Sequence, residues 1–250
     1  QWPYCQLPKN TTTQWSSNTE SLLRSQTEYR EYDMQGNETL FKQANGVIVT
    51  STYYPWEGEG QACPPDPKGF IRHLKNTTIK PELTAVHAAP VLSTTYTYKL
   101  LPSVNNVLDQ WHVMDTALLE SIDTQSTQVL QSTQYEYNND VTDPLRHGLL
   151  ARETLNINGH VMTTEYEYEL VVSAKNDSGS GLVRTKIVNR SDVDSHTKTV
   201  LSEASIYSGQ PLLVRDDNDV EIRYEYDALQ RVTREIVAPG TEYEAARNYH

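Results

Sequence analysis

A Tyr-x-Tyr unit preceded by small polar residues recurs along this chain, and it dictates how side chains must alternate. It occurs as Ser93-Thr94-Thr95-Tyr96-Thr97-Tyr98, as Ser132-Thr133-Gln134-Tyr135-Glu136-Tyr137 and as Thr163-Thr164-Glu165-Tyr166-Glu167-Tyr168. A last copy is Ile222-Arg223-Tyr224-Glu225-Tyr226-Asp227. Successive side chains of a β-strand point to opposite faces, so both rings of each unit share one face. In the last copy Val220, Ile222, Tyr224 and Tyr226 fall on one side, and Glu221, Arg223, Glu225 and Asp227 on the other. Looser relatives lie at Tyr29 to Asp33, at Ser51-Thr52-Tyr53-Tyr54 and at Ser205-Ile206-Tyr207. The spacing is irregular, on the order of 20–40 residues, the range of repeat architectures.

Turn residues punctuate these runs. Asn45-Gly46, Asn158-Gly159 and the Ser178-Gly179-Ser180-Gly181 cluster read as hairpin punctuation. Asp216-Asp217-Asn218-Asp219 and Asp227-Ala228-Leu229-Gln230 read as turns between strands. Strand candidates are 47–54, 91–101, 126–137, 160–172, 182–190 and 198–207. Residues 116–131 carry apolar side chains at helix-like spacing, but Ser, Thr and Asp interrupt them and no cap is evident. The expected fold is all-β: an antiparallel meander with strands in sequential order, forming a curved, twisted strip. One continuous domain over 1–250 is expected. Its interruption is a long irregular loop over residues 55–69, which hold four Pro and three Gly.

Composition agrees with a thin core. The chain has 16 Tyr but only 2 Phe and 3 Met, and Tyr suits a sheet face where the ring packs and the hydroxyl stays wet. The net charge of −12 argues against nucleic acid, since few cations could displace phosphate counterions. No apolar run approaches the roughly 20 residues of a membrane-spanning helix. Cys5 and Cys63 leave either one disulfide or two reduced thiols, and the reduced pair is the simpler reading. The chain begins at Gln1 and reads as part of something longer.

The segment Tyr224-Glu225-Tyr226-Asp227-Ala228-Leu229-Gln230-Arg231-Val232 resembles the YD repeat, Tyr-x-Tyr-Asp-x-x-Gly-Arg followed by an aliphatic residue. Tyr32-Asp33-Met34-Gln35-Gly36-Asn37 fits the same core, and Pro239-Gly240 matches the usual strand ending. Gln230 stands where the repeat has Gly, and the middle copies keep only Tyr-x-Tyr. The segment from Tyr53-Tyr54-Pro55 through Cys63-Pro64-Pro65-Asp66-Pro67 to Gly69-Phe70 is similar to one in large bacterial Rhs proteins of the insecticidal-toxin type.

This resemblance to Rhs and Tc-toxin shell proteins implies a ribbon of strands wound into a hollow shell around a C-terminal toxin. It implies a secreted or cell-surface bacterial protein made in the cytoplasm. The implied partners are the rest of its own chain, shell and cargo, and a translocation component. The motif residues Tyr32, Asp33, Gly36, Tyr96, Tyr98, Tyr135, Tyr137, Tyr166, Tyr168, Tyr224, Tyr226, Asp227 and Arg231 are then structural. Their rings are expected to form cross-strand ladders. Open edge strands imply weak self-association, opposed by the acidic charge.

Chemistry-bearing patterns are sparse. Asp66-Pro67-Lys68-Gly69 matches the short Asp-Pro-x-Gly string of the family's autoproteolytic core, but Phe70-Ile71-Arg72-His73 does not continue it, and a Pro-rich turn is the expectation. No two histidines stand at i, i+2 or i, i+4, so no metal or other cofactor is expected. His112 and Asp115 can approach each other on one strand and are expected to be solvated. Asp216 to Glu221 lacks the sixth-position Gly of a calcium loop. No nucleophile elbow or phosphate-binding glycine loop occurs. The expectation is a non-enzymatic structural segment; the rival is a carbohydrate-binding sheet whose exposed tyrosines stack on sugar rings.

Overall fold

The structure is a computed structural model and describes residues 7–18, 22–82, 89–123, 126–172, 181–191, 193 and 196–249. Apart from one 3₁₀ turn at Val104–Asn106, its regular structure is all β. The strands are β1 (Asn10–Ser16), β2 (Leu22–Tyr32), β3 (Glu38–Lys42), β4 (Ile48–Tyr53), β5 (Leu74–Lys80), β6 (Val91–Leu101), β7 (Trp111–Ile122) and β8 (Thr127–Tyr137). They continue as β9 (Leu150–Ile157), β10 (His160–Val172), β11 (Gly181–Ser191), β12 (Thr197–Ser205), β13 (Pro211–Arg215), β14 (Glu221–Tyr226), β15 (Val232–Val237) and β16 (Ala245–Asn248). All sixteen belong to one sheet in sequential order. The expected strands 91–101 and 160–172 are β6 and β10 to the residue. Residues 116–122 belong to β7 and 127–131 to β8, so the helix-like spacing marks strand among the described residues. The Ser178-Gly179-Ser180 signal lies outside the described residues.

The turns explain the register. Asp33 N–H donates to Asn37 O at 2.9 Å, and Gly36 N–H donates to Asp33 O at 3.2 Å. The same pair of bonds closes 43–47, 216–220 and 227–231. This is a type I turn followed by one left-handed residue, a standard hairpin loop. The left-handed position is Gly36 or Gly46 in two copies, but Asp219 (φ 60°) and Gln230 (φ 63°) in the others. The leading aspartate compensates for that strain. Asp227 Oδ1 accepts from the N–H groups of Leu229 and Arg231, both at 2.9 Å, and its Oδ2 accepts from Arg231 Nε at 2.7 Å. Asp216 and Asp33 hold their turns in the same way. The acidic run at 216–219 is thus a hairpin turn. Asn158-Gly159 is a two-residue turn with both φ positive, between β9 and β10.

The tyrosines do a job other than stacking. The register sets Tyr96 opposite Ala117, Tyr166 opposite Ile187 and Tyr224 opposite Glu235, so the expected ring ladder does not form at these pairs. What recurs is a bond from a tyrosine hydroxyl to a backbone carbonyl at or near the start of the preceding strand. Tyr53 reaches Glu38 O (3.1 Å), Tyr98 reaches Leu74 O (3.1 Å), Tyr168 reaches Leu150 O (2.9 Å) and Tyr226 reaches Pro211 O (2.6 Å). Tyr32 makes a longer bond, 3.4 Å, to Pro8 O just before β1. Antiparallel pairing brings the end of one strand beside the start of its predecessor, so a ring leaning across the pair meets that carbonyl. At Tyr32, Tyr53, Tyr98 and Tyr226 the register to the next strand also slips by one residue. Such bulges re-aim a side chain.

Burial is sparse, and the chain divides into two compact units, 1–134 and 135–250. In the first, Tyr54, Cys63, Asp66, Ser93, Leu101, Ser103 and Thr133 are buried. In the second, His147 and Val188 are the buried residues among those described. The second unit instead carries rows of ion pairs across its strands. Arg152 meets Glu165 (3.2 Å), Lys186 meets Glu167 (3.2 Å), and Arg184 lies between Glu169 (3.4 Å) and Glu203 (2.7 Å). Exposed pairs of this kind contribute about 0–1 kcal/mol each, so they favour a register more than they supply stability.

Two outcomes follow from the locks and turns. Replacing Tyr168 or Tyr226 with Phe keeps the ring and loses the hydroxyl bond, and each change is expected to cost about 0.5–1.5 kcal/mol by chemical denaturation. Tyr207→Phe, at a ring 78% exposed, is expected to cost nothing measurable. The second outcome concerns acid. Backbone N–H donors hold both Asp216 (Val220, then Asn218) and Asp227 (Arg231, aided by its side chain) below the usual carboxylate range. Their contribution is complete above the unfolded value of about 3.9 and is lost as pH falls through the lower folded values. The Asp216→Asn/Asp227→Asn variant keeps the Oδ1 acceptors of the turn N–H groups, loses the Asp227 Oδ2 bond to Arg231 and no longer titrates. Its unfolding temperature should fall less between pH 5 and pH 2 than that of the parent.

Candidate functional site

Three of the first unit's buried residues, Tyr54, Cys63 and Asp66, lie in the Pro-rich segment that follows β4. Rather than looping away from the sheet, residues 54–73 fold back onto it. Tyr54 N–H donates to His73 O at 2.8 Å, Asp66 N–H to Trp56 O at 2.8 Å, and Tyr98 N–H on β6 to Ala62 O at 2.8 Å. An isolated bridge joins Glu59 to Cys63. Gly58 has φ 77°, and a Cβ there would lie 2.5 Å from Cys63 O, so only glycine lets the segment close on itself. Asn37, in the first Tyr-Asp turn, donates from Nδ2 to Ile71 O at 2.7 Å.

This fold-back brings together groups that are distant in sequence. Tyr54 (2% exposed) donates its hydroxyl to Tyr96 O at 2.8 Å, and its ring meets Tyr98 edge-on at 6.1 Å. His73 lies against Tyr98 at 5.0 Å and stacks on His112 of β7 at 4.1 Å between ring centres. His112 Nε2 is 2.8 Å from Pro64 O, so that nitrogen carries the proton and donates it. Asp66 is 4% exposed; its Oδ1 accepts from Lys68 N–H at 2.8 Å, and its Oδ2 lies 3.2 Å from both His73 Nε2 and Arg72 Nη2.

Electrostatics follow from this packing. Burial would raise the Asp66 carboxyl, but the N–H groups of Lys68 and Phe70, then His73 and Arg72, outweigh it and hold the group below the usual carboxylate range. Burial, then the neighbouring His112, lowers His73 and favours its neutral form. Burial and the carboxylates of Asp66 and Glu59 push the free Cys63 thiol up to about 11. Burial, then Cys63, pushes Tyr98 up to about 12. Neither group offers an anion at neutral pH.

Asp66, His73 and His112 present one ligand atom each, all within 4.8 Å of one another. Local spacing in the sequence did not reveal this set, because the fold-back and the β6–β7 pairing assemble it. His112 is not paired with Asp115, which instead meets Lys99 at 2.7 Å. Asp66-Pro67-Lys68-Gly69 forms a tight turn, with Gly69 N–H donating to Asp66 O at 3.1 Å. Of the expected motif residues, Tyr96 and Tyr98 border this cluster. Tyr32, Asp33 and Gly36 form the first turn, and Tyr224, Tyr226, Asp227 and Arg231 the last. Tyr135, Tyr137, Tyr166 and Tyr168 lie half-buried on their strands, in the β8 and β10 copies of the unit.

No protein-family model and no curated protein matches the chain. Solved structures with similar stretches include a "Crystal Structure of TcdB2-TccC3", 13% identical over 96% of this chain and 16% of that one, with a TM-score of 0.24. Another is a "Structure of Photorhabdus luminescens Tc holotoxin pore, Mutation TccC3-D651A", 16% identical over 93% of this chain and 11% of that one, with a TM-score of 0.25. The chain spans about a sixth or less of the length of these chains. TM-scores this low establish no shared overall shape. Among the described residues, no helix is long and apolar enough to cross a membrane.

The packing around Cys63 predicts its reactivity. In a Cys5→Ser variant, Cys63 should react with a disulfide reagent at pH 8 far more slowly when native than in denaturant, since the thiolate is scarce and the residue is 1% exposed. Equal rates in the two conditions would show that the segment is not packed as described.

Proposed function

We propose that this chain is a non-enzymatic wall segment of a β-shell of the Rhs and YD-repeat type, which encloses a toxin and helps deliver it. The observation that carries this reading is the repeated unit itself. The same aspartate- or glutamine-led turn closes four hairpins, and the same tyrosine hydroxyl lock closes five strand pairs. All sit in a sheet whose strands follow sequence order. A unit that pairs only with its predecessor and successor can be extended without limit, which is what a continuous wall needs. The sparse burial supports the same role.

The carbohydrate-binding reading is less well supported. Tyr98, Tyr168 and Tyr226 are half-buried, and their hydroxyls bond backbone carbonyls, so neither ring face nor hydroxyl is fully offered to a sugar. On the proposed reading the protein is secreted or surface-borne, its partners are shell, cargo and a translocation component, and its edge strands β1 and β16 associate weakly with other chains.

The test uses the intact gene product with its cargo region. Limited proteolysis should leave that region uncut while the shell is folded. Opening the wall with a Tyr98→Ala/Tyr168→Ala/Tyr226→Ala variant should expose it. Equal digestion of the cargo region in the parent and in the variant, at the rate of the isolated region, would contradict the proposal.

A further inference from the structure

We propose that Asp66, His73 and His112 form a site for a zinc-type transition-metal ion in the first unit. The donor set fits such an ion. One carboxylate and two imidazoles suit zinc, cobalt or nickel, whereas calcium and magnesium prefer oxygen ligands throughout. A tetrahedral zinc with bonds of about 2.0–2.1 Å holds its ligand atoms about 3.3 Å apart. His73 Nε2 and Asp66 Oδ2 already stand 3.2 Å apart, and all three ligand atoms lie within 4.8 Å of one another.

An independent observation concerns His112. Its Nε2–H is committed to Pro64 O at 2.8 Å, so Nδ1 carries a bare lone pair. That Nδ1 is buried and accepts no hydrogen bond. Buried nitrogens are rarely left so, and each needs an explanation. A metal ion supplies one, because a ligating histidine characteristically gives its other ring N–H to a carboxylate or a backbone carbonyl. The Lys68 N–H holds Oδ1 of Asp66 in a comparable way and leaves Oδ2 for the ion.

Arg72 is the competitor. Its guanidinium lies 3.2 Å from Oδ2 and supplies positive charge where the ion would sit. The Arg72 side chain is 55% exposed and already lies over the exposed Phe70 ring, at 5.3 Å, so it can swing toward solvent when the ion enters. Three protein ligands leave the fourth tetrahedral position to water. The ion would tie the fold-back segment (Asp66, His73) to β7 (His112), beside the buried Tyr54 and Cys63.

The test titrates Zn2+ into the metal-stripped 250-residue chain by calorimetry, and Co2+ by visible absorption. The expected result is one tight equivalent of Zn2+, the d–d bands of tetrahedral Co2+, and a higher unfolding temperature with Zn2+ present. His112→Gln should weaken binding more than tenfold, and Arg72→Met should tighten it severalfold. If His112→Gln fails to fold, Arg72→Met still decides, since it leaves all three ligands in place. Absence of a stoichiometric site, or affinity unchanged in Arg72→Met and in Asp66→Asn, would overturn the assignment.

Discussion

Every strand of this protein takes its hydrogen-bond partners from the strands next to it in sequence, and the remaining features answer to that constraint. A sheet built this way cannot rely on distant segments to cover it. It has to set its register locally, one hairpin at a time. The aspartate turns do so at one end of the hairpins by satisfying the loop N–H groups with a single carboxylate, as at Asp33, Asp216 and Asp227. The tyrosine hydroxyls do so at the other end, by tying the close of one strand to the start of its predecessor, as Tyr168 does to Leu150. The bulges beside Tyr53, Tyr98 and Tyr226 belong to the same device, because they aim the ring across the pair.

The segment 54–73 is the exception. It spends four prolines and a crowded glycine at position 58 to make a compact fold-back, and it places Tyr54, Cys63 and Asp66 at 2%, 1% and 4% exposure. Proline limits the freedom of the unfolded segment, so ordering it costs less entropy than its length implies. The result is a small local core in a unit whose other buried residues, Ser93, Leu101, Ser103 and Thr133, come from outside the segment. Its polar members have defined partners, with the Nδ1 of His112 as the exception.

Much of the fold was legible in the sequence because a half-buried strand must alternate. Alternation located β6 and β10, and Asn158-Gly159 announced its hairpin. Elsewhere the signal was weaker for physical reasons. In β7, Ala117, Leu118 and Leu119 run consecutively, because the side chains of both faces of a thin sheet find some cover, and this mimics a helical stripe. In β1 the Thr-rich run is exposed throughout and carries no apolar pattern. Asp219 and Gln230 take the left-handed turn position without being glycine, since the leading aspartate offsets the strain. The Asp66, His73 and His112 cluster was not legible at all. Its members come from a fold-back and a strand that only the closed hairpins bring together.

Native-state hydrogen exchange resolved by residue tests the central claim of nearest-neighbour construction most directly. A sheet held by successive local locks opens in pieces. The amides of β6, β7 and the fold-back segment should then need the largest opening free energies in the first unit, β1 should open with far less, and the second unit should follow its own separate series. A single opening free energy shared by all protected amides from β1 to β16 would contradict the account, because it would require a continuous core that these residues do not build.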